Sequence, residues 1–162
     1  MKAKKKSKSK IKSIWKLVGI GLGTIVILLS IFFGYQYLTT DYDKLYAKYD
    51  KEMRLFTANE NRTLEIYKEL ENRTQAELIA SITDYALPKW NENILIINKT
   101  NRYKNLPWKL RKQNKKLLEY CKLRIEAFAL LRKALEQDTY EHSGELDVLH
   151  TEINEIMEQI RK

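Results

Sequence analysis

Residues 17–38 form a run of 22 residues without one charged side chain, LVGIGLGTIVILLSIFFGYQYL. A helix of that length extends about 33 Å, which is enough to cross the ~30 Å hydrocarbon core of a bilayer. Because backbone polar groups in lipid must bond within their own segment, a spanning run has to be helical. The sequence therefore predicts one transmembrane helix at 17–38 and a separate domain at 39–162.

The flanks of this run predict its orientation. Residues 1–16 contain eight lysines and no acidic residue, and Trp15, Tyr35 and Tyr37 lie where aromatic rings prefer the membrane interface. By the positive-inside rule, the basic tail 1–16 is cytoplasmic and the C-terminal domain is extracytoplasmic. A cleaved signal peptide is the alternative, but the apolar run is long and no A-x-A-like site follows it. An uncleaved signal-anchor in the cell membrane is therefore favoured.

Small residues recur on one side of the predicted transmembrane helix. Gly19 and Gly23 form a GxxxG pattern, and Ser30 and Gly34 fall on nearly the same helical face. Such a strip lets two helices approach closely, so it predicts a packing seam for a second copy or for a membrane partner. The alternative is that these residues reflect only the ordinary frequency of glycine in membrane helices.

Charge and cysteine content exclude several classes of protein. The net charge is +9, but outside the tail 22 Lys and Arg face 21 Asp and Glu, so the domain is nearly neutral and no nucleic-acid partner is predicted. Cys121 is the single cysteine, which excludes an intramolecular disulfide and a cysteine-based zinc site. Lysine greatly outnumbers arginine, which is typical of an AT-rich bacterial genome, and we expect a bacterial cell-envelope protein.

Apolar side chains in the outer domain recur at helical spacing. No Gly or Pro interrupts residues 35–87, which predicts one long helix, or two joined near residues 59–61, ending at Pro88. Residues 88–105 contain an apolar patch that suits a short helix or a strand, although no second strand is available to pair with it. Residues 98–105 have the composition of a connection.

The C-terminal part predicts two more helices. Pro107 suits the first turn of an amphipathic helix that continues to about Gln137. Asp138 or Thr139, followed by Ser143-Gly144, predicts a break before a strongly periodic last helix. The predicted fold class is all-α: one transmembrane helix plus an extracytoplasmic antiparallel bundle of three or four helices. In the alternative, some apolar stripes are coiled-coil seams filled by another copy.

Residue types that carry catalysis or bind metals are sparse. His142 and His150 are the only histidines, and they lie too far apart on a helix to chelate one ion by themselves. Cys121 shares an apolar stripe with Leu117 and Phe128, which indicates a core residue rather than a nucleophile. Nucleophile-elbow, P-loop and dinucleotide motifs are missing from the sequence. We therefore predict a protein that is not an enzyme and has no cofactor or metal.

One charge asymmetry suggests a binding surface. Residues 99–124 contain ten basic residues and one acid, whereas residues 126–158 contain nine acids and two bases. The basic segment could dock on lipid head groups, wall polymers or an acidic partner, or it could simply pair with the acidic helix beside it. The candidate docking face comprises an aromatic residue and its basic neighbours: Trp108, Lys109, Arg111, Lys112, Lys115 and Lys116.

Part of this segment resembles a known kind of module. The similarity lies in Leu106-Pro107 and in a set of helical positions that follows it: Asn114, Leu117, Tyr120, Leu123, Arg124 and Glu126. This pattern, which covers about a quarter of the chain, is similar to accessory helical segments appended to some rhomboid-family intramembrane proteases. The rhomboid Gly-x-Ser-Gly motif is missing, so the resemblance implies an accessory helical module and no protease activity.

Two hypotheses of function follow. The first is a single-pass membrane-anchored helical scaffold or partner-binding protein of the bacterial cell envelope, acting through a protein partner or through self-association. The second is an extracytoplasmic small-ligand sensor, or an accessory subunit of a separate membrane transducer. In the sensor, Asn93, Asn98 and Tyr103 would line a pocket within the bundle.

Overall fold

The computed structural model describes residues 41–161. The predicted tail, the transmembrane helix and its seam of Gly19, Gly23, Ser30 and Gly34 lie outside the described residues. None of the helices in the described part is long and apolar enough to span a bilayer. The chain divides into two units between Tyr46 and Ala47: residues 41–46 of the first unit are helical, and the second unit, Ala47–Lys162, is compact.

Within 41–161 all regular structure is helical, which confirms an all-α domain. The helices, in chain order, are α1 (residues 41–68), α2 (Gln75–Ala80), a π-helical segment (Ser81–Ala86), α3 (Leu87–Asn101), α4 (Trp108–Gln137) and α5 (Ser143–Arg161). Because α2, the π-helical segment and α3 follow one another without interruption, they form one rod, and the second unit contains four rods.

Contacts between the rods give the topology of the second unit. Tyr49 and Tyr67 of α1 contact Asn114 and Phe128 of α4, so α1 and α4 run in the same direction. The other rods run the opposite way, because each is joined to its neighbours by a short connection. The second unit is therefore an up-down-up-down four-helix bundle, in agreement with the predicted antiparallel bundle.

The prediction that Pro88 ends a helix was wrong. Leu78, Ile82, Ala86 and Trp90 are all buried at steps of four residues, a spacing that would drift around a regular α-helix of about 3.6 residues per turn. The wider π-helical turn keeps these four side chains on the core side. The wider turn also moves the backbone carbonyls before Pro88 away from its ring, which would clash with one of them in a regular α-helix. The rod therefore continues through the proline.

The predicted junction near residues 59–61 was also misplaced. Helix α1 continues to residue 68, and the chain turns at 69–74. Asn59 lies inside the bundle, where its Nδ2 donates to Asn93 Oδ1 at 3.1 Å. The following helix begins with a capping box, in which the Thr74 hydroxyl accepts from the Glu77 amide and the Glu77 carboxylate accepts from the Thr74 amide.

The C-terminal helices agree closely with the predicted boundaries. Residues 87–101 are helical, so the connection predicted at 98–105 begins only after Asn101. Helix α4 begins directly after Pro107 and ends where Asp138 adopts a left-handed conformation with φ 48°. The predicted break between the last two helices lies at residues 138–142, and it ends before Ser143-Gly144 because α5 begins at Ser143.

Aromatic side chains fill the centre of the core. Trp90 of α3 is completely buried and packs edge-on against Phe56 and Tyr120, with ring centroids 6.4 Å and 5.4 Å away. Cys121 is also fully buried in this core, which confirms its prediction as a core residue. Burial raises the pKa of its thiol to about 12. The thiol is therefore neutral and inaccessible near neutral pH.

Candidate binding surface

The connection between α3 and α4 is held rigidly at one end of the bundle. Tyr103 and Leu106 are buried, and Asn105 takes a positive φ of 62° at the turn. Arg111 closes the connection, because its guanidinium donates to the carbonyls of Leu106 and Asn101 at 3.2 Å and 3.4 Å. This arrangement gives the first residues of α4 a defined position at the surface.

Asn114 joins three helices just inside this surface. It is fully buried, and its Oδ1 accepts from the Tyr49 hydroxyl at 2.7 Å. Its Nδ2 donates to Thr100 Oγ1 at 3.0 Å and to Asn101 Oδ1 at 2.8 Å. Because every polar atom of its amide group has a partner, Asn114 fixes α1, α3 and α4 relative to one another at this end.

A basic cleft of about 500 Å³ opens beside the start of α4. Its polar wall is mainly cationic, and Trp108 at its edge leaves 68 % of its surface exposed. Lys116 is oriented by α5, since its Nζ donates to the Gln159 carbonyl at 3.0 Å. The lining residues are Trp108, Lys109, Lys112, Gln113, Lys116, Gln159, Ile160 and Arg161.

The structure divides the six residues of the predicted docking face. Trp108, Lys109, Lys112 and Lys116 line the basic cleft together. Arg111 instead holds the α3–α4 connection through hydrogen bonds to backbone carbonyls. Lys115 is exposed and is not part of the cleft lining.

Sequence reasoning missed the contribution of α5 to this cleft. Gln159, Ile160 and Arg161 form the opposite wall, although they follow Trp108 by about 50 residues in the chain. One of the two alternatives predicted from the sequence was that the basic and acidic helices pack against each other as antiparallel neighbours. Antiparallel packing of α4 and α5 places the end of α5 beside the start of α4.

The charge is distributed unevenly between the two ends of the bundle. We define the basic end as residues 47–54, 95–115 and 154–161, which together hold eleven Lys and Arg against four Asp and Glu. The acidic end, residues 61–82 and 130–150, holds five bases against nine acids. The second unit is therefore an electric dipole along its long axis, with the basic cleft at its positive end.

Helices α4 and α5 pack side by side without neutralising each other through ion pairs. Within residues 41–161, the ion pairs of these two helices lie within one helix or in the turn between them, such as Arg161 with Glu158 at 2.9 Å. Their polar link is the hydrogen bond from Lys116 to the Gln159 carbonyl. Of the cations that line the basic cleft, Lys109 and Lys112 are exposed and form no ion pair within residues 41–161, whereas Arg161 shares its charge with Glu158 and Lys116 is bonded to the Gln159 carbonyl.

The other candidate chemical groups are separated from the cleft and from one another. His142 Nε2 lies 3.0 Å from Gln137 Oε1, and the His150 ring packs edge-on against Tyr67 with centroids 5.7 Å apart. Over the described part of the chain, no group of three or more His, Cys, Asp or Glu side chains is placed to hold a metal ion.

The three residues proposed for a ligand pocket in a sensor are not brought together. Asn93 is fully buried, and its amide bonds to Asn59 and to the Phe56 carbonyl. Asn98 is exposed on α3, whereas the Tyr103 ring is buried beneath Lys48, whose Nζ lies 4.6 Å from the ring centroid. The Asn93 side chain serves the packing of two helices and is not available to a ligand.

Searches with the whole chain gave no match to a family model, to a curated protein or to a solved structure. The geometry of the bundle and of its basic end therefore provides the basis for assigning a function.

Proposed function

We propose that this chain is a single-pass membrane-anchored helical scaffold of the bacterial cell envelope. Residues 17–38 anchor it, and the small-residue seam of that segment contacts a membrane protein or a second copy. The bundle presents the basic cleft to an anionic component of the envelope. The observation that carries the proposal is the exposed Trp108 among Lys109, Lys112 and Arg161.

The residues that line the basic cleft support binding rather than catalysis. It offers cations and an aromatic ring, which attract phosphate or carboxylate groups, but no histidine or cysteine lines it. Asn114 and Arg111 hold the start of α4, which carries Trp108, Lys109 and Lys112, in place. A rigid mount lowers the entropy that binding would otherwise cost.

Crosslinking in native cells, followed by purification of the full-length protein and mass spectrometry, tests this proposal. Three forms are compared: the wild type, a form with Gly19, Gly23, Ser30 and Gly34 changed to Leu, and the variant Trp108→Ala. We expect membrane partners to be lost in the Leu form and anionic partners to be reduced in Trp108→Ala. Recovery of the same material from all three forms would contradict the assignment of both surfaces.

A second candidate function, the small-ligand sensor, is supported by the size of the basic cleft. Its volume of about 500 Å³ lies within the range of small-molecule sites. A small anion that binds there would stabilise the folded bundle in proportion to its concentration. A rise in melting temperature with phosphate or an acidic amino acid, lost in Lys112→Glu, would favour the sensor over the scaffold.

A further inference from the structure

The end of the bundle at which the chain arrives from the predicted anchor is its basic end. Ala47 opens the second unit, and Lys48 and Lys51 follow in the next turn of α1. The hydrogen bond from Tyr49 to Asn114 places this turn beside the first half of α4, which contributes most of the cations of the basic cleft. The chain that comes from the predicted anchor therefore enters the bundle at its basic end.

The length of the connecting chain limits how far this end can lie from a membrane. Residues 41–46 are helical and advance about 9 Å, and the three steps from Leu38 to Asp41 add at most about 11 Å. If 17–38 spans the bilayer, the chain between Leu38 and Ala47 can reach no further than about 20 Å. Such a short tether holds the basic end at a high effective concentration near lipid head groups.

We infer that the basic end docks on anionic phospholipid head groups of the membrane that carries the anchor. This inference rests on the proposed function and names the partner of its basic face. Lysines and arginines near such a surface are attracted by its negative potential, which decays within about 8–10 Å at physiological salt. Trp108, exposed among these cations, has the amphipathic ring that favours the interface. The acidic end is then directed away from the lipid.

Quenching in reconstituted vesicles measures this docking directly. Full-length protein is placed in vesicles of phosphatidylcholine alone, or of phosphatidylcholine with phosphatidylglycerol, each containing a lipid with a head-group quencher. A fluorophore is attached at Lys104→Cys in the basic end or, as the matched control, at Glu145→Cys in the acidic end. Both positions are exposed, whereas Cys121 is buried and does not compete for the label.

We expect severalfold stronger quenching at position 104 in phosphatidylglycerol vesicles than in phosphatidylcholine vesicles, and no such difference at position 145. The difference should disappear in about 1 M salt, where the Debye length falls to about 3 Å. Equal quenching of the position-104 label in both lipids, in protein that remains inserted, would overturn the lipid assignment and leave the anchor intact.

Two charge-reversal variants with the same change in net charge identify the surface responsible. K109E/K112E/K115E reverses three exposed cations of the basic end, and R62E/K68E/K133E reverses three exposed cations of the acidic end. Only the first should abolish the lipid-dependent quenching at position 104. Equal loss in both would indicate an effect of net charge and contradict the assignment to the basic end.

Two further outcomes separate the inference from the proposed function. If the position-104 label stays unquenched, while a photo-crosslinker at Lys112 captures one envelope protein in cells, the occupant is a protein and the lipid inference is wrong. If alkaline washing removes the wild-type protein from the vesicles, the anchor fails, and both the proposed function and this inference fall.

Discussion

Replacing Asn114 by alanine is expected to destabilise the bundle strongly. The change removes three hydrogen bonds, made at 2.7, 3.0 and 2.8 Å to Tyr49, Thr100 and Asn101, from a side chain with no exposed surface. Buried neutral hydrogen bonds contribute about 1 kcal/mol each, and the Tyr49 hydroxyl would be left buried without a partner. We expect a loss of about 3–4 kcal/mol, out of a total stability typically of about 5–15 kcal/mol.

The free energy of unfolding can be measured by denaturant titration of full-length protein in detergent micelles, followed by far-UV circular dichroism. The matched control is Asn98→Ala, since Asn98 is also helical but exposed, and its change should stay within about 0.5 kcal/mol. A double-mutant cycle with Tyr49→Phe should return a coupling of about 1–2 kcal/mol. The reasoning would be refuted by a loss below about 1 kcal/mol for Asn114→Ala, or by zero coupling.

Three further predictions concern separate parts of the bundle. Tyr49→Phe should remove part of the loss of stability at alkaline pH. Burial raises the pKa of Tyr49 from 10.0 to about 12, so the contribution of its neutral hydroxyl to stability is fully present below pH 10 and is lost as the pH rises through about 12. An unchanged pH profile of unfolding would contradict this. Thr74→Ala should cost about 1 kcal/mol through loss of the capping box, whereas Thr151→Ala within α5 should cost less; equal costs would argue against the cap. Cys121 should resist a maleimide at neutral pH until denaturant is added, and rapid labelling of the native protein would contradict its burial.

The bounds of a helix that follows a proline and carries a continuous apolar stripe could be predicted from sequence, whereas a buried asparagine led to a misplaced junction in α1. Helix α4 has a single apolar stripe, and its bounds were predicted to within a residue or two. In α1, by contrast, Asn59 was taken as part of a junction, because an asparagine that bonds inside a bundle looks the same in sequence as one in a turn. The distinction depends on Asn93, which is 34 residues away.

For a similar reason, only the α4 part of the candidate surface could be predicted from the sequence. Trp108 and the lysines of α4 are neighbours in sequence, so their common face follows from helical periodicity. The α5 wall with Arg161, and the role of Arg111 in closing the connection, depend on which helix ends meet. That information lies in tertiary contacts such as the one between Lys116 and the Gln159 carbonyl.

The π-helical segment sets the angular phase of everything that follows it in the rod. Each residue of an α-helix turns the chain by about 100°, and a π-helical turn is an α-helical turn that carries one extra residue. Deleting one residue from Ser81–Ala86 would therefore restore a regular α-helix and keep Trp90, Asn93 and Ile97 on the core side; its cost would lie at Pro88, whose ring would then meet a carbonyl of the preceding turn. Inserting one residue into the regular helix between Pro88 and Trp90 would instead rotate these three side chains by roughly 100° and lose both the Asn59 pairing and the aromatic cluster. Lengthening the turn at 69–74 should be tolerated.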